Sequence, residues 1–297
     1  MIALRDVLER LLERSSLSEA EASQALLALT DTATQPAMAG AVLAALRAKG
    51  VAPDELRGFA KSMRTLARRP VLPPGSPLVD MVGTGGDGSG SFNLSTGAAL
   101  LVAAMGIRVA KHGTSSISSK SGSADVIRAL GLPLPLDENQ AGACLAATGF
   151  TFLFAPHYHP AMKAIMPVRQ ALGVRTVFNI LGPLLNPAEP PFHLIGAYRL
   201  DVAELMAEAL SGMAIERAFV VHGDPGWDEA TPIGPFTLFD VRPGKVVRTT
   251  RNAEEFGLPR CVAEDLKGGD AAYNAAHLRA VLEGRDRSAH RNAVVLQ

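Results

Sequence analysis

VGTGGDGSGSFNLST, residues 82–96, decides the fold class. Five glycines fall between Gly83 and Gly90, after the apolar run LVDMVG and before the run NLSTGAALLVAAMG, which has helical composition. Glycine lets backbone N–H groups converge on an anion, and the N-terminus of the following helix adds its dipole. Asn93, Ser95 and Thr96 place side-chain donors at that terminus. Strand, glycine-rich turn and helix in this order make a phosphate cradle inside an α/β unit. Neither GxGxxG nor GxxxxGK[ST] fits the spacing, so the cradle is of another type.

Downstream, short apolar runs alternate with helical stretches. IRVAKHG precedes GSADVIRALG, FTFLFA precedes HPAMKAIMPVRQALG, FHLIGAY precedes DVAELMAEALSGM, and RAFVVHG follows. That alternation predicts a mostly parallel sheet covered by helices. TLFDVRPGKVVRTT, with Pro243-Gly244 at its turn, predicts a hairpin added to the sheet. Upstream the pattern is helical. Leu4, Val7, Leu8, Leu11 and Leu12 keep a 3.6 period, Ser18 with Glu19 and Glu21 marks a capping box, and Pro36 and Pro53 open further helices. Leu56, Phe59, Ala60 and Met63 fall on one face of the last of these. RRPVLPPGSP, residues 68–77, holds four prolines and one glycine and reads as a stiff linker. The expected fold class is therefore α/β: a small N-terminal helical domain over 1–70, then a larger α/β domain over 78–297 with a mostly parallel central sheet.

Composition narrows the function. The chain has 297 residues, with 29 basic and 29 acidic side chains, 47% hydrophobic and 20% charged residues. This is ordinary globular composition with room for a sizeable core. Balanced charge argues against a nucleic-acid partner. Cys144 and Cys261, the only two cysteines, lie far apart, which argues against a disulfide framework and fits a cytoplasmic location. The charged start and the short longest apolar run predict neither signal peptide nor membrane span.

Three further stretches carry chemistry. KHGTSSISSKSGSAD, residues 111–125, offers Lys111 and Lys120 and six serines, among them Ser118, Ser119, Ser121 and Ser123. Polyphosphate needs many donors of this kind, though serine-rich loops are also common linkers. In APHYHPAMKAIMPVRQALGVRTVFNILGPLLNP, residues 155–187, His157 and His159 form an HxH pair with no third metal ligand nearby in the sequence. Arg169 sits on a helix and can pair with a carboxylate. In VVHGDPGWDEATP, residues 220–232, the adjacent acids Asp228 and Glu229 follow a strand end, a place suited to magnesium near phosphates.

Taken together, GTGGD with NLST, KHG with SSKSGSAD, HPAMK…PVRQALGVRTVFNILGPLLNPA, VVHGDPGWDE and FGLPR…DLKGGDAAYNA resemble the anthranilate phosphoribosyltransferase (TrpD) family over essentially the whole chain. The resemblance implies transfer of the phosphoribosyl group from phosphoribosyl pyrophosphate to the amine of anthranilate, releasing pyrophosphate, in tryptophan biosynthesis. It also implies a fold of the nucleoside phosphorylase/phosphoribosyltransferase type, with part of 165–190 joining the helical domain, and a homodimer formed through that domain. Carried over by position, Gly83, Gly86, Asp87, Ser91, Asn93, Leu94, Ser95, Thr96, Lys111, Ser118, Ser119 and Ser123 bind the donor. Gly83, His112, Thr114, His159 and Arg169 face the acceptor, and Ser95, Asp228 and Glu229 hold two Mg2+ ions per subunit. No general base is assigned, because an aryl amine is already a nucleophile.

The chain departs from the family in two places. The family motif reads KHGN, whereas Thr114 follows KHG here, so two acceptors stay open: anthranilate, or another aromatic or heterocyclic amine. The family also continues beyond the segment that ends at Gln297, which places its C-terminal helix outside this chain. A third reading, a non-catalytic nucleic-acid-binding relative, is opposed by the balanced charge and by the intact acids.

Overall fold

A computed structural model of the chain describes residues 2–116 and 120–297. Four helices come first: α1 Leu4–Leu12, α2 Glu19–Leu29, α3 Pro36–Lys49 and α4 Pro53–Thr65. Ser18 caps α2 in a reciprocal box with Glu21, the Ser18 N–H donating to Glu21 Oε2 at 2.9 Å. Prolines open α3 and α4, where the missing N–H has no intrahelical partner to lose. α1 packs on α3 and α2 on α4. Leu56, Phe59, Ala60 and Met63 share the buried face of α4, none more than 1% exposed. Removing an apolar side chain that size from water contributes about 1.5–3 kcal/mol each. Glu55 is buried too. It accepts from the backbone N–H groups of Leu17 and Ala52 and pairs with Lys49 at 2.9 Å, so its charge is compensated.

The remainder alternates as β1 Val79–Gly83, α5 Leu94–Ala104, β2 Val109–Gly113, α6 Ser123–Ala129, α7 Glu138–Thr148, β3 Phe150–Phe154, α8 Ala155–Tyr158, α9 Met162–Leu172, α10 Phe178–Leu181, β4 Phe192–Gly196, α11 Leu200–Ser211 and β5 Arg217–Gly223. The hairpin β6 Phe236–Arg242 and β7 Lys245–Arg251 follows, then α12 Ala271–Leu282 and α13 Ala289–Leu296. One seven-stranded sheet runs in the order β3-β2-β1-β4-β5-β6-β7. The first five of these strands are parallel and the hairpin strands antiparallel. The hairpin turns at Gly244, whose φ of 68° favours glycine.

Strand order reverses between β1 and β4, which pair from Val79↔Phe192 to Gly83↔Gly196. From β1 the chain moves outward through β2 to β3, and from β4 it moves the other way. In open parallel sheets such a switch point leaves a crevice at the carboxyl ends of the strands, where ligands bind.

The largest hydrophobic core unites both parts. It runs from Val7, Leu26 and Phe59 through Ile165, Phe178 and Leu184 to Met206, Val220 and Phe239. α3 also packs on α9, and α4 on α11. At this junction the buried Arg64 of α4 donates from Nε to the Leu184 carbonyl at 2.8 Å. α7, α12 and α13 were not foreseen from sequence. α7 buries Gly142 and exposes Ala143, Ala146 and Ala147, which blurs a 3.6 period, yet Asp137 and Gln140 give it a full capping box.

Candidate active site

The predicted residues gather at the carboxyl ends of the parallel strands. β1 delivers Gly83 and the loop behind it, β2 delivers Lys111 and His112, and the turn after β5 delivers Asp228 and Glu229. Both acids are buried, 8% exposed each. The Gly85 N–H donates to Asp228 Oδ2 at 2.5 Å, and the Ser95 N–H, at the start of α5, donates to Glu229 Oε1 at 3.2 Å. A Cβ at Gly83 would run into the Asp228 carboxylate, so this close approach requires glycine. Gly85 and Gly86 follow with φ of 65° and 73°, a left-handed pair that turns the loop.

The electrostatics of the acids are one-sided. Burial first, then the charge of Asp87, pushes Asp228 up to about 7. Burial and then Asp228 raise Glu229 well above the usual carboxylate range. Asp87 Oδ2 accepts from the Asp228 N–H at 3.3 Å, so three acids crowd together. The nearby cation is Lys111, 1% exposed, donating to the Met81 carbonyl and, at 3.4 Å, to Ser95 Oγ. Burial pulls its ammonium down, and Asp80, Glu229 and Asp228 pull it back up. One buried ammonium cannot balance four carboxylates, so the acids hold protons that a further cation would displace. Oxygen donors in that state fit a hard divalent cation such as magnesium.

The residues expected to bind the donor, where described, each have a definite place. Asn93 is fixed from two directions: its Nδ2 donates to the Ser121 carbonyl at 3.3 Å, and its Oδ1 accepts from Asn274 Nδ2 at 2.7 Å. Ser91 forms an antiparallel bridge with Lys267. Thr96 is buried. Leu94 is fully buried in apolar packing with Phe92, Leu278 and Val294, so only its backbone can serve a ligand. Gly86 accepts through its carbonyl from Arg175, which also lies over the Tyr198 ring, 4.1 Å from its centroid. Ser123 Oγ donates to the Thr114 carbonyl at 3.3 Å. Ser118 and Ser119 lie outside the described residues.

The acceptor-site residues are more scattered. His112 and His159 meet edge to face, ring centroids 5.0 Å apart. Burial drives His112 well below its ordinary range and His159 down to about 4, so both rings are neutral at physiological pH. His157 turns instead to Glu138, Nε2 lying 3.5 Å from Oε1, so the HxH pair does not converge on one point. Arg169 lies over Phe178, 5.3 Å from the ring centroid, and contacts Met166 Sδ at 3.6 Å. Thr114 is exposed. A cleft of about 580 Å³ opens beside the loop, lined in part by Arg47, Gly86, Asp87, Arg175, Tyr198 and Val202.

Sequence reading passed over several supporting residues. Asp80, wholly buried on β1, accepts from the His112 N–H at 3.2 Å and from Asn186 Nδ2 at 2.8 Å, and burial pushes it up to about 6. A carboxylate inside LVDMVG was the available signal, since a buried strand tolerates one only with partners. Asn274 and Arg175 gave no local signal of this kind.

A glycine-rich loop at a switch point, with buried acids across from it, suits a phosphorylated ligand and a divalent cation. The family described as "Glycosyl transferase family, a/b domain" matches residues 75–297, and "Glycosyl transferase family, helical bundle domain" matches residues 5–67. The anthranilate phosphoribosyltransferase of Synechocystis sp. is 45% identical over 293 residues, 97% of this chain and 83% of the relative. That of Solibacter usitatus is 47% identical, covering 97% of this chain and 85% of the relative. The crystal structure of the Thermus thermophilus enzyme superposes with a TM-score of 0.91 at 42% identity, covering 98% of this chain and 86% of that one. The Saccharomyces cerevisiae enzyme, solved in complex with PRPP and Mg, superposes with a TM-score of 0.88 at 28% identity, covering 98% and 85%. The chain belongs to the anthranilate phosphoribosyltransferase family.

Proposed function

We propose that this chain transfers the phosphoribosyl group of phosphoribosyl pyrophosphate to the amine of anthranilate, a step of tryptophan biosynthesis. The observation that carries the reading is the buried Asp228–Glu229 pair, bonded to the N–H groups of Gly85 and Ser95 at the strand ends. In the reaction the aryl amine forms a C–N bond at the anomeric carbon as the bond to pyrophosphate breaks. Positive charge grows on the sugar and negative charge on the leaving group. The loop around Gly86 and the start of α5 receive phosphate oxygens, and Lys111 adds a cation beneath them. Asp228, Glu229 and Ser95 would hold Mg2+, two ions per subunit on this reading. Bound there, magnesium neutralises charge on the departing pyrophosphate. The neutral rings of His112 and His159 pack against the acceptor and add no positive charge to compete with Arg169, which pairs with its carboxylate. The amine proton leaves to solvent, so no side chain is needed as a strong base.

On the same reading residues 1–70 with part of 165–190 form the helical domain and 78–297 the α/β domain. Support comes from Arg64 bonding Leu184 and from α3 packing on α9. The helical domain would carry a homodimer interface in a cytoplasmic enzyme; among the described residues no helix is long and apolar enough to cross a membrane. The deciding assay mixes purified protein, phosphoribosyl pyrophosphate, Mg2+ and a panel of aromatic amines. One pyrophosphate released per anthranilate consumed is the expected result. Release with another amine and none with anthranilate would reject the acceptor.

A further inference from the structure

Phe92, inside the phosphate loop, stacks on His290 of α13 with ring centroids 4.5 Å apart and planes 25° apart. His277 of α12 meets the same imidazole edge to face at 5.5 Å. Asp286, in the turn joining the two helices, brings Oδ2 to 3.8 Å from His290 Nδ1. One ligand atom from each of these three residues lies within 4.8 Å of the others. None of the three belongs to the substrate site described above.

We propose that His277, Asp286 and His290 form a binding site for a first-row transition metal of the zinc class. Ligand type selects the ion. Two imidazoles and one carboxylate suit Zn2+, Co2+ or Ni2+, whereas Mg2+ prefers all-oxygen donors such as Asp228 and Glu229. Geometry is within reach. Zinc–ligand bonds of about 2.0–2.1 Å place neighbouring ligand atoms about 3.3 Å apart in a tetrahedron, so the Asp286–His290 pair must close by about 0.5 Å and the widest pair by at most about 1.5 Å. His290 is buried and held by Phe92, so it serves as the fixed ligand. His277 is half-buried against the Tyr273 ring, 4.1 Å between centroids, and rotation of its side chain supplies most of the movement. Asp286 is already oriented. Its Oδ1 accepts from the N–H of Ser288, the N-cap of α13, at 2.7 Å, and its Oδ2 lies toward His290. The Lys267 carbonyl faces the His290 ring as well, an outer contact of the kind that orients metal-ligating histidines. His277 and Asp286 are only partly buried, so an ion can reach the trio from solvent.

The consequence is mechanical. α12 and α13 pack together with Phe92 and Leu94 through Leu278 and Val294. An ion joining the helices would stiffen the wall behind the phosphate loop and read out as stability, since metal bound only by the folded state stabilises it.

The test uses tag-free protein stripped with a chelator and equilibrated with Zn2+ or Co2+, without Mg2+ or substrates. It is therefore independent of the reaction proposed above. Metal content by elemental analysis, Co2+ visible absorption and the thermal midpoint are compared among wild type, His277→Ala, Asp286→Asn and His157→Ala. Asp286→Asn keeps an oxygen to accept from Ser288 and guards against a folding defect in the other variant. Wild type should bind one more equivalent than either His277→Ala or Asp286→Asn and gain several degrees that both variants lose, while His157→Ala, which removes an imidazole away from the trio, behaves as wild type. Equal metal content in wild type and the two trio variants would overturn the proposal. So would an ion lost with His157→Ala and kept with His277→Ala.

Discussion

The proposed donor half and the proposed acceptor half of the site are built in opposite ways. The donor half is backbone and fixed charge: N–H groups of Gly85 and Ser95 on buried carboxylates, an ammonium beneath, and strand ends that cannot shift without breaking the sheet. The acceptor half is a few side chains on separate elements: His112 on β2, His159 after α8, Arg169 on α9 and the exposed Thr114. One half is over-determined by the fold, and the other is set by individual substitutions. Damage to the donor half should therefore abolish chemistry, and changes in the acceptor half should retune it.

The largest effect tests that contrast directly. Glu229→Gln removes a charge from the acid pair but preserves its shape, and turnover should fall at least about 10³-fold with the fold intact by circular dichroism. Near-wild-type turnover would remove the acids from the mechanism.

pH should separate the halves next. Asp228 is raised to about 7 in the folded protein, against about 3.9 in an unfolded chain. Between those values the folded state keeps a proton that the unfolded state has released. The stability this proton confers is present below about pH 4 and is lost as pH rises toward and through 7. Glu229, also raised, acts in the same direction. Thermal melts of metal-free protein should show this falling contribution from pH 5 to 8. Mg2+ with donor should restore more stability at pH 8 than at pH 5, since cation and proton compete for the same oxygens. Calorimetry at pH 6 should detect proton release on that binding. A Mg2+ affinity indifferent to pH would show that the acids are already ionised.

Arg169→Ala should raise the acceptor KM about 10- to 100-fold while the donor KM stays within about twofold, the loss of a charged hydrogen bond being worth about 1.5–3 kcal/mol. A parallel rise in both constants would mean that Arg169 supports the whole cleft. The smallest effect belongs to Thr114. Asn is longer than Thr and offers both a donor and an acceptor, so Thr114→Asn should change the anthranilate KM by several-fold, about 1 kcal/mol, with donor constants unchanged. No change in KM or turnover would show that this position does not read the acceptor.

Legibility in the sequence followed the same divide. The glycine loop, the Asp228–Glu229 pair and the strand–helix alternation are local patterns, each dictated by backbone conformation or by adjacency, and the strands fall where apolar runs put them. Asp80, Asn186 and Asn274 were not legible, because their role is to satisfy one another or a loop across long sequence separations: 106 residues for Asn186–Asp80 and 181 for Asn274–Asn93. The HxH pair misleads for a related reason. α8 turns between His157 and His159, so adjacent histidines face different partners, Glu138 and His112. The His277–Asp286–His290 trio escapes a linear reading because two helices and a turn must fold before its members meet.

The two margins of the sheet are finished differently, and this bears on how the chain survives its own folding. β7 is exposed along nearly its whole length but carries Lys245, Arg248 and Arg251, charges that discourage another strand from adding to it. β3, at the other margin, reads FTFLF: aromatic, uncharged and strongly β-forming, the composition of a self-associating segment. Nothing in its own residues guards it. Its protection is α7, the capped helix immediately before it in the chain, which packs against it together with α8. Because α7 leaves the ribosome first, the cover is already synthesised when the hazardous strand emerges, and chain order itself acts as the gatekeeper.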